Sequence, residues 1–91
     1  SAKKTVRVAQ LRDPESGRTM TVDTNAEAIQ LYTGNMLKAV RGKNGRIYAK
    51  HGALCLETEC FPDSPNVAHF PSCLLLPGKK YESVTVYGFH C

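Results

Sequence analysis

The sequence predicts an all-β chain, arranged as an antiparallel β-sandwich. Apolar and polar residues alternate at period two through successive short segments. Turn-forming residues separate those segments at close intervals. Only residues 25–28 hint at a helix, and they are too few to hold one. Ninety-one residues, 42% hydrophobic and 22% charged, describe a globular chain rather than a disordered one. That length makes one small unit, 1–91, which buries roughly 60–65% of its unfolded surface and so has a thin core.

The elements follow in order. Residues 5–11 alternate with Val6 and Val8 on one face, and 18–24 alternate with Met20 and Val22. Between them, Arg12-Asp-Pro-Glu-Ser-Gly17 is rich in turn formers, so the two segments read as a hairpin. Residues 29–32 form a third strand, ended by Thr33-Gly34-Asn35. Gly42-Lys-Asn-Gly45 is a tight turn of the kind Asn-Gly favours in hairpins, with a short strand over 46–49. Residues 53–61 form the next strand, and the turn-rich Pro62-Asp-Ser-Pro-Asn66 follows it. Residues 72–76 are a further short apolar piece before the Pro77-Gly78 turn. Residues 81–89 close the chain, with Val84, Val86 and Gly88 opposite Tyr81, Thr85, Tyr87 and Phe89. No internal repeat, low-complexity run or linker interrupts this series.

Charge and cysteine usage narrow the function. The net charge of +4 is mildly basic, and Lys38, Arg41, Lys43, Arg46 and Lys50 form one loose cluster. The cluster reads as a solvated loop, although it could meet phosphate. No aromatic ladder accompanies it, which argues against nucleic acid. No apolar run approaches the ~20 residues of a membrane helix, and no signal peptide is read. Cys55, Cys60, Cys73 and Cys91 lack Cys-x-x-Cys spacing, and His90-Cys91 alone is a weak metal candidate. A reduced, cytoplasmic chain without a metal site is expected.

The run Leu54-Cys-Leu-Glu-Thr-Glu-Cys-Phe-Pro-Asp-Ser-Pro-Asn66 is the most informative stretch. It sets a carboxylate, Glu57, within an apolar strand beside a stiff loop, a placement suited to proton transfer. Read by itself, Glu57 is more simply an edge-strand acid facing water, since isolated acids are mostly solvated. Gly52-Ala-Leu-Cys-Leu-Glu-Thr-Glu-Cys-Phe-Pro-Asp-Ser-Pro-Asn66 resembles the C-terminal signature of the aldose 1-epimerases (galactose mutarotases). Ile29-Gln-Leu-Tyr-Thr-Gly-Asn35 resembles that family's Gln-x-Tyr-Thr-Gly-Asn strand and turn. His69-Phe-Pro-Ser72, Leu75-Leu-Pro-Gly78 and the closing segment through Phe89 extend the similarity in the same order.

The resemblance implies a large antiparallel supersandwich, of which this chain is a C-terminal segment. Such a segment exposes strand edges and an apolar face. A second chain, self-association or rearrangement into a compact module would cover them. The implied chemistry is interconversion of the α and β anomers of an aldohexose such as galactose or glucose, with no cofactor. By position Glu57 is the family's base, and Gln30 matches a glutamine near the sugar, whose amide both donates and accepts. The family's acid is a histidine, and His51, His69 and His90 do not match its positions. Two departures stand out. Glu59 replaces a glutamine on the face that carries Glu57, and Glu27-Ala28 replaces a Pro-Gly before the Gln30 strand. The alternative is a truncated, non-catalytic module that binds carbohydrate or a protein partner.

Overall fold

The computed structural model describes residues 3–91. Seven strands are found among them: β1 (Val6–Arg12), β2 (Thr19–Thr24), β3 (Ala28–Tyr32), β4 (Val40–Arg41), β5 (Ile47–Tyr48), β6 (Cys55–Glu59) and β7 (Thr85–His90). The described residues contain no α-helix, and every strand pairing is antiparallel, so the all-β expectation holds. The strands form one three-stranded sheet in the order β1-β2-β7 and two ribbons, β3-β6 and β4-β5.

The first hairpin forms where the sequence places it. Asp13 builds its turn: the carboxylate accepts from the backbone N–H groups of Glu15 and Ser16 and from the Ser16 hydroxyl. Gly17 then takes a left-handed φ of 75°, and its N–H donates to the Asp13 carbonyl. One detail departs from simple alternation. Arg7 pairs with Asp23 and Ala9 with Val22, so Val8 is an unpaired bulge residue and the face of β1 shifts there. The Arg7 guanidinium meets the Asp23 carboxylate at 2.8 Å across the ladder.

Central position explains burial in this sheet. β2 has a neighbour on each side, and its Val22 is fully buried, with Thr21 and Thr24 nearly so. Val22 is the one buried hydrophobic residue among those described, whereas sixteen large apolar side chains are exposed. The radius of gyration is 16.7 Å, against about 12 Å expected for a compact domain of this length. The chain has therefore not rearranged into a closed module.

A line of hydroxyls ties the β3-β6 ribbon to the three-stranded sheet. Thr58 Oγ1 lies 2.9 Å from Thr85 Oγ1, which lies 3.1 Å from Thr24 Oγ1. Thr24 donates its single proton to the Val84 carbonyl at 2.9 Å and accepts the Ala26 N–H at 3.1 Å. A hydroxyl has one proton and two lone pairs. Thr85 must then donate to Thr24, and Thr58 to Thr85, so the chain of donors runs in one direction from β6 to the edge of β7.

Two segments differ from expectation. Residues 72–76 join no sheet, and Leu74, Leu75 and Leu76 are exposed. Apolar content alone does not make a strand; its backbone groups need a neighbouring strand, and none of the described strands pairs with this piece. The closing strand begins at Thr85 rather than residue 81. Ahead of it the Asn25 side chain replaces a strand partner: its Oδ1 accepts the Val84 N–H at 3.0 Å, and its Nδ2 donates to the Glu82 carbonyl at 3.4 Å.

Two outcomes are expected. Thr85→Val keeps the shape of the side chain but cuts both hydroxyl links, leaving the part-buried Thr58 hydroxyl without an acceptor. Urea unfolding is expected to show a loss of about 1–3 kcal/mol with the slope unchanged; an unaltered midpoint would refute the linkage. Asp13 is held below its ordinary value of 3.8, first by the Ser16 hydroxyl and then by the Ser16 and Glu15 N–H groups. A group whose pKa is lowered on folding stabilises the fold above its unfolded value and loses that effect as pH falls through the folded one. The turn is thus fully supported at neutral pH and weakens below the usual carboxylate range. A carboxyl carbon NMR titration of Asp13 checks this, and a midpoint at or above 3.8 would contradict it.

Candidate functional site

The β3-β6 ribbon brings the two sequence-predicted site residues together. Its register pairs Ala28 with Glu59, Gln30 with Glu57 and Tyr32 with Cys55. Directly opposed residues on an antiparallel ladder hold their Cβ atoms about 4.5–5.5 Å apart, on the same face. Alternation then gives the ribbon two faces. Gln30, Tyr32, Cys55, Glu57 and Glu59 share one, and Ile29, Leu31, Leu56 and Thr58 share the other. Thr58 reaches back to Thr85 from the second face, so Glu57 is turned away from the three-stranded sheet.

Glu57 is exposed and makes no side-chain hydrogen bond or ion pair among the described residues. Gln30 is also exposed, and its Nε2 donates to the neighbouring Leu31 carbonyl at 3.3 Å. That bond leaves the amide oxygen and one N–H proton unused. Glu59 lies on the Glu57 face, as the spacing requires, and is half-buried. Glu27, which stands where the family pattern has a turn residue, pairs with Lys3.

The loop after β6 is stiff for identifiable reasons. Asp63 takes a left-handed φ of 62°, and its carboxylate accepts the Asn66 side-chain N–H at 2.6 Å. Ser64–Asn66 form one 3-10 turn, with Ser64 buried. Beyond it Phe70 stacks against Phe61 at 4.8 Å, with His69 edge-on to Phe70 at 4.8 Å. Asp63 and His69 are engaged within this loop. His51 is engaged elsewhere: its Nδ1 sits 2.9 Å from the Thr33 carbonyl, which accepts only, so Nδ1 carries the proton. None of His51, His69 and His90 forms a hydrogen bond with Glu57 among the described residues. No group of three or more His, Cys, Asp or Glu side chains there is placed to hold a metal ion.

Sequence reasoning missed a cleft. It measures about 590 Å³ and is lined by Tyr32, Leu37, Arg46, Tyr48 and Cys55, among others. Tyr32 and Cys55 are the register pair next to Gln30 and Glu57 on the same face. The cleft therefore opens one strand repeat, about 6.6–6.8 Å, along from the glutamate. Glycines shape it. A Cβ on Gly34, at φ 71°, would stand 2.7 Å from the Ala53 carbonyl, and one on Gly42 would run into the Tyr48 ring. The signal in the sequence is the pair of tyrosines flanking the glycine turns.

No helix among the described residues is long and apolar enough to cross a membrane, which says nothing of a β-barrel.

Comparison with known proteins places these features in a family. The family model for aldose 1-epimerase matches residues 1–88. A galactose mutarotase of Mus musculus is 46% identical over 82 residues, covering 89% of this chain and 24% of the relative. A galactose mutarotase of Homo sapiens is 43% identical over the same coverage. An aldose 1-epimerase of Escherichia coli is 42% identical over 72 residues, 77% of this chain and 21% of the relative. The chain spans about a quarter of the length of these relatives. With a β3-β6 ribbon that pairs Gln30 with Glu57, and a match over nearly its whole length, the chain belongs to the aldose 1-epimerase family.

Proposed function

We propose that this chain is the base-bearing C-terminal segment of a mutarotase site acting on an aldohexose such as galactose or glucose. What carries the assignment is the direct opposition of Gln30 and Glu57 on one face of the ribbon, within a chain of this family. In this scheme the Glu57 carboxylate takes the proton of the anomeric hydroxyl while an acid protonates the ring oxygen. The bond from the anomeric carbon to the ring oxygen breaks, and the aldehyde turns about its bond to the next carbon. The ring closes on the other face as both proton transfers reverse. Gln30 orients the sugar through the amide oxygen and N–H left unused by its bond to Leu31. Every step moves a proton between oxygens, so the scheme needs no cofactor.

The acid is assigned to polypeptide outside these residues. His51 and His69 are engaged with Thr33 and Phe70. The exposed apolar side chains, Phe89 and Leu74 above all, support an arrangement in which further polypeptide packs on this segment. The four free cysteines support a reducing compartment, and we place the reaction in the cytoplasm. The second reading is a non-catalytic module that uses the same exposed apolar surface to hold a carbohydrate or protein partner.

Polarimetry of freshly dissolved α-D-galactose decides between them, using the complete polypeptide that carries this segment. Glu57→Gln is expected to lower the accelerated mutarotation by about 10²–10⁴-fold while leaving folding intact. Unchanged rates in that variant would exclude Glu57 as the base, and no acceleration in the unmutated protein would favour the binding module.

A further inference from the structure

We infer that Thr58 is a positioning residue for Glu57: its hydroxyl bond to Thr85 fixes the roll of the β3-β6 ribbon, and through it the aim of the carboxylate. The inference rests on the reading of Glu57 as the base and adds to it the group that holds the base in place.

The need comes first. A general base acts when it lies about 2.6–3.2 Å, heavy atom to heavy atom, from the proton's owner. Glu57 is exposed, and no side chain among the described residues bonds to its carboxylate. The direction in which it leaves the strand is therefore inherited from the backbone of β6, that is, from the way the ribbon faces.

Apolar packing does not set that direction. On the Thr58 face of the ribbon Leu31 is 54% exposed, and Val22, the one buried hydrophobic residue among those described, lies in β2. Hydrophobic contact is also non-directional, whereas a hydrogen bond has a preferred length and angle.

Polar attachment does set it, because both strands of the ribbon are tied to one atom, Thr24 Oγ1. β3 follows β2 after residues 25–27, and the Ala26 N–H in that connection donates to Thr24 Oγ1 at 3.1 Å. β6 reaches the same oxygen through Thr58 and Thr85, over 2.9 Å and 3.1 Å. One tie would leave the ribbon free to turn about it; two ties, one on each strand, fix the turn. The second tie depends on one proton. Thr24 gives its own to the Val84 carbonyl, so Thr85 gives its proton to Thr24 and has lone pairs alone to offer β6. Thr58 must be the donor there. A serine can take its place; a valine of the same shape cannot. Thr58 and Glu57 leave the strand on opposite faces, so drawing Thr58 toward the sheet holds Glu57 outward, and Gln30 turns with it as its register partner.

Steady-state mutarotation kinetics on galactose test the assignment, using the complete polypeptide that carries this segment. Thr58→Val is expected to lower kcat about ten- to a hundredfold, the cost of misplacing a reacting group by about 1 Å. KM should rise no more than about threefold, since a single neutral hydrogen bond from Gln30 is at stake in binding. Thr58→Ser should restore most of kcat. Thr85→Val should repeat the loss, and the double variant should be no slower than the slower single one, because members of one link do not add. Val22→Ala controls for stability. It removes core volume and leaves the hydroxyls in place, so kcat of the folded protein should hold even where its melting temperature falls further than that of Thr58→Val. Unchanged kcat in Thr58→Val and Thr85→Val, beside a slow Glu57→Gln, would overturn the positioning role and leave the base assignment standing. A serine variant as slow as the valine one would overturn it too, and so would an equal loss of kcat in Val22→Ala. Should Thr58→Val fail to fold, Thr85→Val cuts the same bond from its other end and is judged by the same outcomes. Full activity in Glu57→Gln would defeat the base reading and the positioning role together.

Discussion

The donor chain from Thr58 through Thr85 to Thr24 and the Val84 carbonyl is the interaction on which the arrangement depends. It is the named hydrogen-bonded link between the β3-β6 ribbon and the three-stranded sheet. Period-two geometry makes it decisive for function as well as stability. Thr58 points toward Thr85, so its neighbour Glu57 points the other way, and Gln30 follows because the register sets it opposite Glu57. Slipping the ribbon by one residue would send Glu57 into the sheet and Thr58 into solvent. A threonine beside the glutamate is thus part of how the carboxylate is aimed. Each member of the chain has its proton and lone pairs assigned without a conflict, and no buried side-chain polar atom among the described residues lacks a partner.

Against that well-satisfied junction stands a thin core. A single buried valine does not offset the entropy of ordering a chain this long, since full burial of one side chain contributes only about 1.5–3 kcal/mol. The extended radius and the apolar residues along 74–89 describe a surface that none of the described residues covers. β7 shows the consequence most directly. One edge is paired to β2, and the sheet order leaves the other edge open among the described strands, with Val86, Tyr87 and Phe89 exposed. Open apolar edges are a liability in an isolated module and are ordinary where more sheet continues beside them. Coverage of about a quarter of the relatives' length agrees with that picture.

What the sequence disclosed was local. The β1-β2 hairpin was legible because Asp13 and Gly17 are chemically suited to its turn. The Asn44-Gly45 turn was legible because both residues tolerate the left-handed region they adopt, at φ 56° and 72°. Even there the connection spans 42–46 rather than two residues, since the strands it joins are only two residues long. Alternation placed Glu57 and Glu59 on one face before any pairing was known. Pairings between distant segments were not legible. Nothing in period-two patterning says that β3 skips β4 and β5 to meet β6, or that β7 returns to β2. The threonine chain was hidden for the same reason, because residues 24, 58 and 85 look like ordinary strand threonines until three strands converge. Residues 72–76 misled because apolar content does not by itself supply a neighbouring strand, and none of the described strands pairs with this piece.

The basic hairpin shows how surface charge differs from a site. Five cations over residues 28–56 raise the local potential wherever an anion approaches, and salt screens most of that within about 8–10 Å. Such a field attracts without discriminating. Discrimination needs donors held still before the ligand arrives, because ordering long side chains on binding consumes much of what they contribute. Two phenols fixed by backbone N–H groups, over turns that glycine alone permits, meet that requirement; the surrounding lysines do not.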